Sequence, residues 1–274
     1  MIGFIGSVFS PWYGWSGRGD PANNCCINVV TSGLDGKFTM TDRGRAALTQ
    51  TRDTLTVGPS RMHWTGTEMV IDVNEWGALP HVAPLRGQIV LTPQAVTQTE
   101  VALTPDGRHM WRPFAPISRI DVDLGPGTRW SGHGYFDANF GERPLEQDFR
   151  FWTWGRYPLR DRTVCFYDAT RADGSTLALG VQIDRVGGVQ EIVPPPMAGL
   201  RRNIWGVKRE TRADAGVTPR TGMSLLQAPF YARGLVETQI DGERSVGMHE
   251  ALDLWRFDQP LLKPMLAVRV PRWT

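Results

Sequence analysis

Apolar and polar residues alternate with a period of two along much of this chain, the pattern of strands that bury one face. Met62 and Trp64 lead into a turn at Thr65-Gly66-Thr67, after which Met69, Ile71 and Val73 alternate with Val70 and Asp72, so Ser60 to Val73 reads as a hairpin. A second hairpin runs from Thr163-Val164-Cys165-Phe166-Tyr167 through Ala172-Asp173-Gly174. Its return strand carries Leu177, Leu179, Val181 and Ile183 on one wholly apolar face. Further strands are predicted at Gly87 to Leu91, Glu100 to Leu103, Arg119 to Leu124, Gly234 to Ile240 and Leu266 to Val270. Turns punctuate them at Asp35-Gly36, Gly58-Pro59, Asp106-Gly107, Gly125-Pro126 and Asp241-Gly242. Helical patterns are short: His249 to Phe257 has room for two turns and Asp42 to Thr49 for one or two, too little to organise a fold. The expected class is all-β and antiparallel, barrel or sandwich, with a break between halves near Gly141 to Leu145.

Composition narrows the classes. In 274 residues, 30 Gly and 20 Pro are spread along the chain, which breaks long helices repeatedly. A hydrophobic fraction of 41% supplies enough apolar surface to rule out disorder, and a net charge of +2 is too small for a nucleic-acid binder. Cys25, Cys26 and Cys165 form neither a disulfide framework nor a metal-ligand spacing, as expected in a reducing compartment. The apolar Met1 to Phe9 lacks the basic flank and cleavage site of a signal peptide, and no stretch approaches a spanning helix. It reads as a buried strand or cleft-lining loop, with contact along a bilayer as the alternative. No dinucleotide fingerprint, phosphate loop or nucleophile elbow is present, so no nucleotide cofactor is expected.

The stretch richest in chemistry is Trp130-Ser131-Gly132-His133-Gly134-Tyr135-Phe136-Asp137-Ala138-Asn139-Phe140-Gly141. As a strand it projects His133, Tyr135, Asp137 and Asn139 on one face. Facing solvent, that pattern is ordinary; facing a cleft, it sets an acid, a phenol and an imidazole together among aromatics. His109-Met110-Trp111 places an imidazole and an indole on one side of another strand, either as a site or as a satisfied histidine beside a core tryptophan. His63-Trp64 has its members on opposite faces, and His81 and His249 stand alone as expected surface or loop residues. The aromatics Phe151-Trp152-Thr153-Trp154, Phe166-Tyr167 and Trp205 suit core packing singly and an enclosed apolar ligand jointly.

These motifs carry a resemblance. Trp130 to Gly141 with Arg143-Pro144-Leu145-Glu146 and Phe151-Trp152-Thr153-Trp154-Gly155-Arg156 resembles the carotenoid 1,2-hydratases, also called hydroxyneurosporene synthases. Ile2 to Tyr13, Asn28-Val29, Thr41-Asp42-Arg43-Gly44, Trp111 to Pro116, Phe166-Tyr167-Asp168 and Pro271-Arg272 extend the likeness over most of the chain. One departure is Asn24, where the family often has a histidine before the first cysteine. The resemblance implies two lipocalin-like β-barrel domains, here 1–143 and 144–274, packed with a ligand cleft near their junction. It also implies an enzyme that needs no cofactor and no metal. Such a hydro-lyase adds water to the terminal C1–C2 double bond of acyclic carotenoids such as neurosporene and lycopene, in the methoxylated-carotenoid pathway of photosynthetic bacteria.

Hydration of that alkene starts with a proton on C2 and leaves a tertiary cation at C1 for water to capture. The resemblance assigns the proton to Asp137, which must then be protonated, as burial among aromatics favours. Trp111 and Tyr135 are expected to face the cation. His109 is expected to reprotonate the acid or to orient water, with His133 and Asn139 as supporting groups. The implied partners are carotenoid and water, with peripheral contact at the cytoplasmic side of the photosynthetic inner membrane and no nucleic acid. A polyene carrier and a terpenoid or polyketide cyclase on the same scaffold are the competing readings.

Overall fold

The computed structural model describes residues 1–33 and 36–273; of the turn expected at Asp35-Gly36, Asp35 lies outside them. The architecture is mainly β and antiparallel, as the alternation predicts. Two compact units form. One comprises residues 1–93, 118–135 and 260–274, the other 94–117 and 136–259. The long strands His109–Asp123 and Arg129–Gly141 therefore contribute residues to both.

In the first unit a five-stranded sheet joins Ile2–Ile5, Cys25–Val30, Phe38–Thr39, Asp42–Arg43 and, in parallel with the last, Arg272–Trp273. The meander Leu48–Gln50, Thr54–Val57, Ser60–Trp64, Met69–Trp76 and Pro84–Pro93 includes the predicted hairpin, with Trp64 opposite Met69. Under these sheets Glu75 is wholly buried and fully engaged: Arg43 Nη2 donates to it at 2.8 Å and Ser60 Oγ at 2.7 Å. Satisfying both oxygens is what makes burial of that charge tolerable.

The second unit is organised by a seven-stranded sheet in the order Val189–Ile192, Thr176–Asp184, Arg162–Arg171, Phe149–Pro158, Glu243–Asp253, Tyr231–Ile240 and Arg220–Gln227. The predicted hairpin pairs Thr163 with Ile183. One face of this sheet is a core of Tyr157, Val164, Phe166, Val236 and Ile240. The two-stranded hairpin Met197–Leu200 and Arg209–Arg212 closes it, with Tyr157 Oη 2.6 Å from Thr211 Oγ1.

Four local expectations are corrected. His249 to Asp253 is strand, not helix, because Glu243–Asp253 is hydrogen-bonded on both sides; the helix is only Leu254–Phe257, capped by the Asp253 side chain. His249 is accordingly not a surface or loop residue but 0% exposed on that strand. Leu266 to Val270 is not a strand, since Leu262–Arg269 is a helix whose residues also fit a 3.6-residue period. Asp42 to Thr49 holds a single 3-10 turn at Arg45–Ala47 between short strands.

Candidate active site

Alternation along His109–Asp123 buries both His109 and Trp111, at 3% and 1% exposure. On Arg129–Gly141 the four polar residues of one face divide. His133 is exposed and Tyr135 half-buried in the first unit, whereas Asp137, half-buried, and Asn139, exposed, belong to the second with His109 and Trp111. The link that defines the site is Trp111 Nε1, which donates to Asp137 Oδ2 at 2.8 Å. The Trp111 ring also packs against Tyr167, centroids 6.0 Å apart, and the Tyr167 hydroxyl approaches Asn139 Oδ1 at 3.5 Å.

His109 is held differently. Its Nε2 lies 2.7 Å from Asp148 Oδ2, an oxygen that also accepts from Arg143 Nε at 2.7 Å. Phe149 stacks edge-on at 5.2 Å. Gly141 backs the opposite edge of the ring: a Cβ there would stand 2.5 Å from His109 Nδ1. The glycine closing the Trp130 to Gly141 motif is thus the space in which the imidazole sits.

Facing Trp111 and Asp137 is the second face of the seven-stranded sheet. Register places Tyr167, Trp154, Glu250 and Arg233 side by side across four strands, with Trp152, Leu252 and Tyr231 in the neighbouring row. Arg233 Nε meets Glu250 Oε1 at 3.0 Å, and Tyr231 hydrogen-bonds the same carboxylate. The Glu250 charge holds the Arg233 guanidinium above its ordinary pKa against the cost of burial, and the Asp137 charge adds to this. Burial raises the Tyr167 phenol, and the Asp137 and Glu250 charges raise it further. Cys165 in the next row is pushed up to about 12 by burial, too high for a thiolate nucleophile. Among the described residues no three His, Cys, Asp or Glu side chains gather as metal ligands.

The charged pair Arg233–Glu250 was not singled out by sequence reasoning. Its signal is a phase conflict: Arg233 interrupts the apolar series Tyr231, Leu235, and Glu250 interrupts Met248, Leu252, at positions where alternation calls for apolar side chains. Asp148, the partner of His109, lies just beyond the Arg143 to Glu146 motif and carries no such signal.

The family model for the carotenoid hydratase CrtC matches residues 1–274, the whole chain. The chain belongs to that family. The acyclic carotenoid 1,2-hydratase of Rhodobacter capsulatus is 67% identical over 99% of this chain and 97% of its own length. That of Cereibacter sphaeroides is 64% identical over 99% and 98%. Among solved structures, a putative AttH from Nitrosomonas europaea is similar at a TM-score of 0.54 and 13% identity, covering 80% of this chain and 76% of that one, a likeness of fold alone. Asn24 is the position at which the sequence departs from the resemblance. It is buried in the first unit, donating to the Asp20 carbonyl at 3.0 Å and accepting from Arg272 Nη1 at 2.9 Å, a structural bridge.

Proposed function

We propose that this chain hydrates the terminal C1–C2 double bond of acyclic carotenoids, with Asp137 as the proton donor. The observation that carries the reading is the Trp111–Asp137 hydrogen bond opposite an aromatic sheet face. Indole N–H donation to Oδ2 fixes the plane of the carboxyl group that gives up the proton. As that proton moves to C2, negative charge grows on the carboxylate and the same hydrogen bond strengthens, so it favours the transition state over the ground state. Tyr167 and Trp152, on the same unit as the acid, supply π faces for the tertiary cation at C1, each worth roughly 0.5–2 kcal/mol. The Arg233–Glu250 pair is neutral overall, so it adds polarity without repelling that cation. Water then adds at C1 and its proton passes to His109, which Asp148 steadies as an imidazolium and from which a proton returns to Asp137 to restore the acid. His133 and Asn139 support the strand that carries the acid.

With this goes the finer fold reading of two lipocalin-like β-barrel domains, 1–143 and 144–274. A substrate of this apolarity dissolves in membranes, so the enzyme works peripherally, at the cytoplasmic side of the photosynthetic inner membrane. The test is direct: purified protein is incubated with lycopene or neurosporene in detergent, and the products are weighed by mass spectrometry. A product heavier by one water is expected. Binding with no product makes it a carrier, and an isomer of unchanged mass makes it a cyclase.

A further inference from the structure

The Leu262–Arg269 helix, in the first unit, turns its apolar residues outward. Its exposed positions and the one preceding them are Leu261, Pro264, Met265 and Val268, spaced i, i+3, i+4 and i+7, which makes one continuous stripe. Leu261 is 85%, Met265 52% and Val268 57% exposed. The short helix Pro11–Trp15 lies beside it: Trp12 Nε1 donates to the Val270 carbonyl at 2.7 Å, and a Cβ on Gly14 would stand 3.8 Å from the Lys263 stem. Trp15, at the end of that helix, is 51% exposed. An apolar stripe of this kind facing water marks a surface that something covers.

Charge says what. Residues 1–19 and 260–274, which supply both helices, contain Arg18, Lys263, Arg269 and Arg272 and not one Asp or Glu. Arg272 is occupied by Asp42, Arg269 stacks over Phe38 and Arg18 lies over the Tyr13 ring, and the last two keep their charge there. Exposed apolar side chains on segments whose charged residues are all basic, with a tryptophan on the neighbouring helix, suit a bilayer surface of acyl chains and anionic headgroups. Among the described residues no helix is long and apolar enough to cross a membrane. We propose that the Leu262–Arg269 helix and Trp15 form the surface on which this protein docks to an anionic lipid bilayer. It rests on the hydratase reading only for the reason to be there; vesicle binding without any carotenoid tests it separately.

The experiment is co-sedimentation of the full chain with vesicles of phosphatidylcholine, with and without phosphatidylglycerol. Binding to the anionic vesicles, weakening as salt is raised, is expected. Combined Leu261→Gln, Met265→Gln and Val268→Gln lowers that binding at least about tenfold. The same variant keeps its turnover of detergent-dispersed lycopene within about twofold, which also reports that it folds, since the three positions lie outside the site. As a milder change, Lys263→Gln reduces the preference for anionic over neutral vesicles. The inference is overturned if the parent ignores both vesicle types, or if the triple variant binds as the parent does. It is equally overturned if the parent forms a dimer in ultracentrifugation that the triple variant loses and that excludes vesicles, which would make a second copy the occupant.

Discussion

On one face of the seven-stranded sheet, Tyr157, Val164, Phe166, Val236 and Ile240 close a core under a hairpin; on the other, the same strands present Trp152, Trp154, Tyr167, Arg233 and Glu250 to Trp111 and Asp137. Polar groups occur on both faces but do different things. In the closed face they are consumed by structure: Tyr157 by Thr211, His249 by the Glu210 carbonyl, Asp168 by Arg212. In the second they form a connected set of charges in which Asp137 influences Tyr167 and Arg233, and Glu250 influences both tyrosines. A buried polar group that ends on a backbone carbonyl or hydroxyl is scaffolding. Ionisable groups that perturb one another across a face are candidates for chemistry.

Asp137→Asn tests that distinction hardest. It should lower turnover by about 10²–10⁴-fold, the range of general acid catalysis, while lycopene binding and melting temperature stay near those of the parent. Full activity in this variant would remove Asp137 as the acid. Next comes Glu250→Gln, which leaves Arg233 without its partner in a site where the side chains are 15% and 25% exposed. Partial exposure sets the expected cost at about 3 kcal/mol, the low end for a broken buried pair. The double change Arg233→Met with Glu250→Leu should recover most of the stability and none of the lost turnover. Recovery of both would assign the pair to the scaffold.

How much of this could be read beforehand differs between the faces. The closed face was legible, because alternation in Thr163 to Ile183 and Gly234 to Ile240 is a direct imprint of burial. His109, Trp111 and Asp137 were legible through motif and resemblance, yet their pairing was not. Nothing in spacing says that the indole rather than the imidazole reaches Asp137, since that depends on how two strands register. Helix and strand were confused at Leu266 to Val270, where apolar residues satisfy both periods, and at His249 to Asp253, where pairing on two sides overrides local preference. His249 shows the same limit: a lone histidine looks like surface until its strand is known to be central.

That histidine gives the next prediction. Burial chiefly lowers its pKa from 6.5 to about 4. The unfolded chain takes up this proton near pH 6.5 and the folded one only near 4, so stability is fully present above 6.5 and falls between those values as pH drops. The loss from this group amounts to about 3 kcal/mol at most. Thermal melts of the parent and His249→Gln at several pH values measure it as a steeper parental slope in that window; parallel slopes would refute the assignment. Somewhat smaller is Gly247→Ala. The added Cβ would stand 2.2 Å from the Arg156 carbonyl oxygen and 2.3 Å from the Tyr157 ring, forcing the closed face apart at about 2 kcal/mol. Turnover per folded molecule should not change, and a selective loss of turnover would mean that the faces are not independent.

Trp111→Phe is the finest cut, because it removes one hydrogen-bond donor from Asp137 Oδ2 and keeps an aromatic ring against Tyr167. If the indole N–H matters mainly once charge appears on the carboxylate, kcat should fall about tenfold, near 1.4 kcal/mol, with KM for lycopene little altered. Trp111→Ala should lose more, since a side chain only 1% exposed then leaves a cavity as well. A rise in KM at constant kcat for the phenylalanine variant would instead make Trp111 a wall that binds the polyene, and the clamp on the acid would have to come from another group on the same face.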